Sequence, residues 1–151
     1  MKSIFLRVGF MRALLLAIAL ASTAAAAQQV KSVAGVVVNF GLIPAEAALR
    51  ADGHRDMHPP NPPSGSQHLL VTLADEKSQA RIGDAAVSIE VTGPRGRIET
   101  KPLLHTQAGG LPDYSELFTF AWSGEYKIRV IITLSSGAKP METRFTVHHS
   151  I

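Results

Sequence analysis

The chain contains no cysteine in 151 residues. That excludes a disulfide, a lipid-modified N-terminal cysteine, a thiolate metal ligand and a cysteine nucleophile, so the fold must stand on its core alone. Catalytic motifs are missing as well. There is no Gly-x-Ser-x-Gly elbow, no His-Glu-x-x-His and no glycine-rich phosphate loop ahead of a helix. The carboxylates are scattered over positions expected on outer strand faces and turns. An enzyme is therefore not expected. Beyond residue 27 nothing substantial repeats at helical period, and no internal repeat occurs.

The one long apolar run, residues 13–21, follows Lys2, Arg7 and Arg12 and continues into small residues up to Ala27. A basic n-region, a short apolar h-region and an Ala-x-Ala site form a secretory signal peptide. Residues 1–27 are expected to be removed, with Met11 as an alternative start. The run falls short of the roughly 20 apolar residues of a membrane span, so no transmembrane anchor is expected after cleavage. The 124 residues that follow suit one domain. Residues 28–66 supply a first strand, a short helical turn and a proline-rich His/Met loop, and 67–151 the main sandwich. The leader also carries three of the fifteen basic residues and none of the twelve acidic ones, so the formal charge of +3 disappears with it. Without a basic stripe, nucleic acid is excluded as a partner. Export without disulfides points to a Gram-negative periplasm.

Residues 124–134 are the clearest structural signal. Tyr126, Ile128, Val130, Ile132 and Leu134 alternate with Lys127, Arg129 and Thr133, the pattern of a half-buried antiparallel strand. β-Branched enrichment predicts one strand over residues 28–40. A short helix is expected over 44–51, with Pro44 at its first position. Inward positions follow at Leu69, Val71 and Leu73, then Val87, Ile89 and Val91, then Phe118, Phe120 and Trp122, and finally Phe145 and Val147. A weak edge strand interrupted by Pro102 is expected over 97–106, and turns at Gly93-Pro94-Arg95-Gly96, at residues 109–113 and at residues 135–140. About seven short strands spaced by turns indicate an immunoglobulin-like antiparallel β-sandwich.

The stretches His68-Leu-Leu-Val-Thr-Leu-Ala-Asp75, Ala80-Arg-Ile-Gly-Asp-Ala-Ala-Val87, Gly124-Glu-Tyr-Lys-Ile-Arg-Val130 and Phe145-Thr-Val-His148 carry a family likeness. In them the span 67–149 resembles the exported YtkA-like and FixH-like immunoglobulin-type domains of bacteria. The resemblance implies a sandwich with an accessory role in the cell envelope, including copper handling and oxidase assembly in the FixH-like branch. The membrane anchor typical of FixH is not expected here, so that specific role is not carried over.

One constellation could carry chemistry. His54, Met57 and His58 lie in a loop with four of the nine prolines, and His68 follows on the outer face of the next strand. Imidazole suits copper, nickel and zinc, and thioether sulfur favours Cu(I), so a cysteine-free His/Met set points to copper if to any metal. Asp52 and Asp56 are available as oxygen ligands or to orient the imidazoles. The competing reading is a solvated loop with Met57 as a packing anchor. His105 stands near a glycine turn, and His148 and His149 alternate on the last strand with one or both at the surface. Phe118, Phe120, Trp122 and Tyr126 are expected in the core. Arg95, Arg97 and Lys101 form a small basic patch of the kind that protects a sheet edge. Two functions remain open. One is a non-catalytic periplasmic accessory module that engages an envelope protein through a sandwich edge or the proline-rich loop. The other is a copper-binding carrier using His54, Met57, His58 and His68.

Overall fold

The computed structural model describes residues 27–50 and 61–151. Residues 1–26, most of the expected leader, and residues 51–60, with His54, Met57 and His58, lie outside the described residues. In chain order the elements are β1 (Ala27–Val33), β2 (Val36–Pro44), α1 (Ala45–Arg50), β3 (Ser66–Asp75), β4 (Ala86–Thr92), β5 (Ile98–Pro102), β6 (Leu104–Ala108), β7 (Leu111–Thr119), β8 (Gly124–Thr133) and β9 (Met141–His149). They form a five-stranded sheet ordered β1-β2-β3-β7-β6 and a four-stranded sheet ordered β5-β4-β8-β9. All ladders are antiparallel. The chain is an all-β sandwich, as the alternation predicts. No helix among the described residues is long and apolar enough to cross a membrane.

The strand number departs from about seven at two places. Residues 28–40 form a hairpin rather than one strand, because Ala34 (φ 48) and Gly35 (φ 80) adopt the left-handed conformation of a tight turn. Residues 97–106 form two strands in different sheets. Leu103 between them donates its N–H to the Val87 carbonyl (2.8 Å) and buries its side chain, so the chain leaves one layer and joins the other at a single residue. The turn expected over 109–113 is shorter, since β7 begins at Leu111.

Alternation places Val36, Val38, Phe40 and Leu42 of β2 on the inner face with Leu69, Val71 and Leu73 of β3, opposite Ile89, Ile128, Val130, Ile132 and Phe145. Phe40 and Phe145 stack across the sheets at 5.1 Å and 17°, and Phe120 stacks on Tyr126 at 4.1 Å and 8°. Both open sides of the sandwich are laced by side chains that reach backbone of the facing sheet. Gln29 Nε2 donates to the Thr146 carbonyl (2.7 Å) and Lys31 Nζ to that of Arg144. On the other side Lys101 Nζ donates to Leu117 (2.6 Å). On the outer face of the smaller sheet, Arg129 bridges Glu90 and Glu142. That is a solvated charge ladder of the kind that adds little stability.

Tyr114 is the main polar anchor of the core. Its hydroxyl accepts from the Ala85 N–H (3.0 Å) and donates to the Ile82 carbonyl (3.2 Å), and burial pushes the phenol above its ordinary pKa. Tyr114→Phe leaves both backbone groups unpaired. The expected cost is about 1–3 kcal/mol, measured as a lower urea midpoint with unchanged slope. An unchanged midpoint would remove this anchor from the description.

Trp122 is a correction. It was expected inside with Phe118 and Phe120, but β7 ends at Thr119, the alternation stops, and the indole is 46% exposed.

Candidate functional site

The segment that carries His54, Met57 and His58 departs from α1 and returns at Asn61. α1 forms because Ala45, Glu46, Ala47 and Ala48 combine helix propensity with an acid in the first turn. Ala45 and Ala48 are buried against the sandwich. The flanks on both sides line one pocket of about 430 Å³, formed by Pro44 and Glu46 before the segment and by Pro62, Ser66 and Gln67 after it, with His149 from the far sheet. Gly65 allows this closure. It sits at φ +77, its carbonyl accepts from the Phe120 N–H (2.8 Å), and a Cβ there would lie 2.6 Å from the Phe120 oxygen.

His149 continues the inward series of Phe145 and Val147. Its ring stands edge-on to Phe120 (5.6 Å, 89°) and Tyr126 (6.2 Å, 83°), while its Nε2 is buried and has no hydrogen-bond partner among the described residues. Ser66 Oγ, in the same pocket, is in the same condition. Native proteins rarely leave buried polar atoms so, and such atoms mark places where strain, an ordered water or an ion is accommodated. Strand alternation alone could have singled out His149, because it shares a face with two core residues.

His68 lies at the start of β3, at this same end of the sandwich, on the outer face between Ile43 and Leu117 in the ladder. It is only 1% exposed, so it is a buried group rather than an open surface ligand. His148 points outward, 3.9 Å from Glu125, and His105 is exposed beside the Tyr114 ring (5.5 Å). Neither reaches the pocket at His149. Asp113, expected in a turn, is instead 2% exposed within β7. Its carboxylate accepts from Thr106 Oγ1, and its Oδ2 is without a partner among the described residues. Among the described residues no group of three or more His, Cys, Asp or Glu side chains is placed to hold a metal ion.

No protein-family model matches the chain, and no curated protein does. Solved structures do match. The chain is similar to a DUF4426 family protein from Pseudomonas aeruginosa PAO1, with TM-score 0.67 and 11% identity over 81% of this chain and 94% of that one. It is similar to the copper-reconstituted P19 protein of Campylobacter jejuni, with TM-score 0.61 and 11% identity over 81% of this chain and 93% of that one. It is also similar to FetP from uropathogenic Escherichia coli strain F11, with TM-score 0.63 and 13% identity over 83% of this chain and 95% of that one. At these identities what is shared is the sandwich.

Proposed function

We propose that this chain is a non-catalytic accessory protein of the periplasm that handles copper through its His/Met segment. The observation that carries the reading is convergence. Both flanks of that segment line one pocket with His149, whose buried Nε2 lacks a hydrogen-bond partner among the described residues. His54, Met57 and His58 supply two imidazoles and a thioether, a donor set that suits copper and favours Cu(I). His149 and His68 are the described imidazoles at the same end. Two proteins with this sandwich, P19 and FetP, have been obtained in copper-bound form, which supports the reading. The leader supports export, and the absence of catalytic motifs supports a carrier or accessory role. The strand motifs resemble those of YtkA-like and FixH-like domains, and an envelope protein is the expected recipient or donor of the metal.

The test is a Cu(I) competition titration against a chromophoric chelator, using protein recovered from the periplasm of cells that express the full chain. The wild type is expected to bind one equivalent. His54→Ala combined with His58→Ala, or Met57→Leu alone, is expected to weaken binding by more than the about 10–100-fold typical of losing an outer-shell partner. Equal affinity in the double variant would overturn the proposal.

A further inference from the structure

A second site lies on the other side of the Phe120–Tyr126 stack, at the β4–β5 turn, and its case does not rest on copper. The turn is rigid. Gly93 N–H donates to the Arg97 carbonyl and Gly96 N–H to the Gly93 carbonyl, both at 2.9 Å. Pro94 packs so closely on Gly124 that a Cβ there would lie 2.8 Å from its own Cβ, and Gly93 lies against the Tyr126 ring. The Tyr126 hydroxyl in turn accepts from the Trp122 N–H (3.1 Å) and donates to the Trp122 carbonyl (2.9 Å). The backbone that carries the exposed indole is thereby held, and the Arg95 guanidinium covers the ring at 3.4 Å from its centroid. Stacking uses the face of a guanidinium and leaves its N–H edge available.

Charge at this corner is unbalanced. Arg95, Arg97 and Glu99 line a small cavity with Trp122 and Tyr126. Glu99 is the only acid among its lining residues, and it already pairs with Lys101 at 3.0 Å. Neither Arg95 nor Arg97 has an ion-pair partner among the described residues. The cavity measures about 40 Å³. At about 10–15 Å³ for each water-sized sphere, it has room for a group the size of a carboxylate.

The neighbouring strand is an open edge. β5 pairs with β4 alone. The bonds from Gly93 to Arg97 and from Leu103 to Val87 fix the register, so Glu99 and Lys101 bond inward while Ile98 and Thr100 turn N–H and C=O groups outward. The opposite edge of that sheet differs, because Lys31 and Gln29 occupy the Arg144 and Thr146 carbonyls of β9.

We infer that this corner docks an extended acidic peptide, which adds as a short strand to β5 and places a carboxylate between Arg95 and Arg97. Main-chain bonds supply affinity in such pairing, and the side-chain pocket supplies selection. The single tryptophan of the chain is Trp122, so its emission reports the site directly. The probes are a five-residue β-forming peptide in three forms: an internal glutamate with amidated C-terminus, glutamine at that position with a free C-terminal carboxylate, and glutamine with amidated C-terminus. At least one carboxylate form is expected to shift Trp122 emission with a Kd at least tenfold lower than the carboxylate-free form, and whichever binds tighter identifies the source of the charge. Arg97→Gln, a surface change whose folding is checked by circular dichroism, is expected to abolish that tenfold preference. N-methylation of the pairing amides in the best peptide is expected to weaken it at least tenfold without any change to the protein. Equal binding of all three peptides, no binding at millimolar concentration, an unchanged preference in Arg97→Gln, or indifference to N-methylation would overturn the inference.

Discussion

Replacing Phe40 by Ala is expected to destabilise the sandwich by about 3–5 kcal/mol. Phe40 is fully buried on the second strand and stacks on Phe145 of the opposite sheet, so truncation removes a ring that joins the two layers. Val38, Leu69, Val71, Ile128 and Val130 belong to the same buried core. The second strand, held by ladders on both sides, cannot shift far enough to close the resulting void, and the cost therefore includes a cavity as well as lost burial. Against a total stability of about 5–15 kcal/mol for an ordinary domain, this is a large fraction, and without a disulfide nothing covalent limits the loss. A fall in melting temperature of about 10–20 °C is the corresponding calorimetric result. Phe40→Leu, which keeps most of the volume, should cost much less. A loss below about 1 kcal/mol for the Ala variant would mean that the inner faces are not packed as described.

Gly65→Ala is expected to cost about 2–4 kcal/mol, from two sources. The residue sits at φ +77, where an L side chain is strained, and the new Cβ would stand 2.6 Å from the Phe120 carbonyl oxygen. That oxygen is backbone and cannot swing away as a side-chain tip would. A matched control separates the two terms. Gly35 has φ +80 and nothing within 4 Å of a Cβ, so Gly35→Ala should show only the conformational cost, about 1–2 kcal/mol. Equal losses at the two glycines, measured by urea denaturation, would show that the closure at Phe120 is looser than its 2.8 Å hydrogen bond implies.

Much of the fold was legible because period-two burial reports which side of a strand is dry. The alternation at Tyr126, Ile128, Val130 and Ile132 is reproduced as burial at all four positions. Periodicity does not report which sheet a strand enters, so the crossing at Leu103 was not legible, and Pro102 read only as an edge. The hairpin at Ala34 and Gly35 escaped because valines flank the turn on both sides and no Asn-Gly or Asp-Gly pair marks it. Trp122 misled for a different reason: three aromatics at even spacing imply one face only while the strand continues, and here it stops at Thr119. Of the proposed copper donors, His68 is described and buried, while His54, Met57 and His58 belong to residues 51–60. The pocket lined by the flanks of that segment brings together residues about a hundred positions apart, such as Glu46 and His149, a juxtaposition that only the closed sandwich creates.

Tyr126 is a party wall between neighbours. One side of its ring faces the cavity of Arg95 and Arg97, and its other contacts run through Phe120 to the imidazole of His149. In a close-packed interior a displaced ring pushes whatever touches it. Any guest that moves Tyr126 from one side therefore changes the terms for a guest on the other, and thermodynamic linkage makes the two effects equal in size.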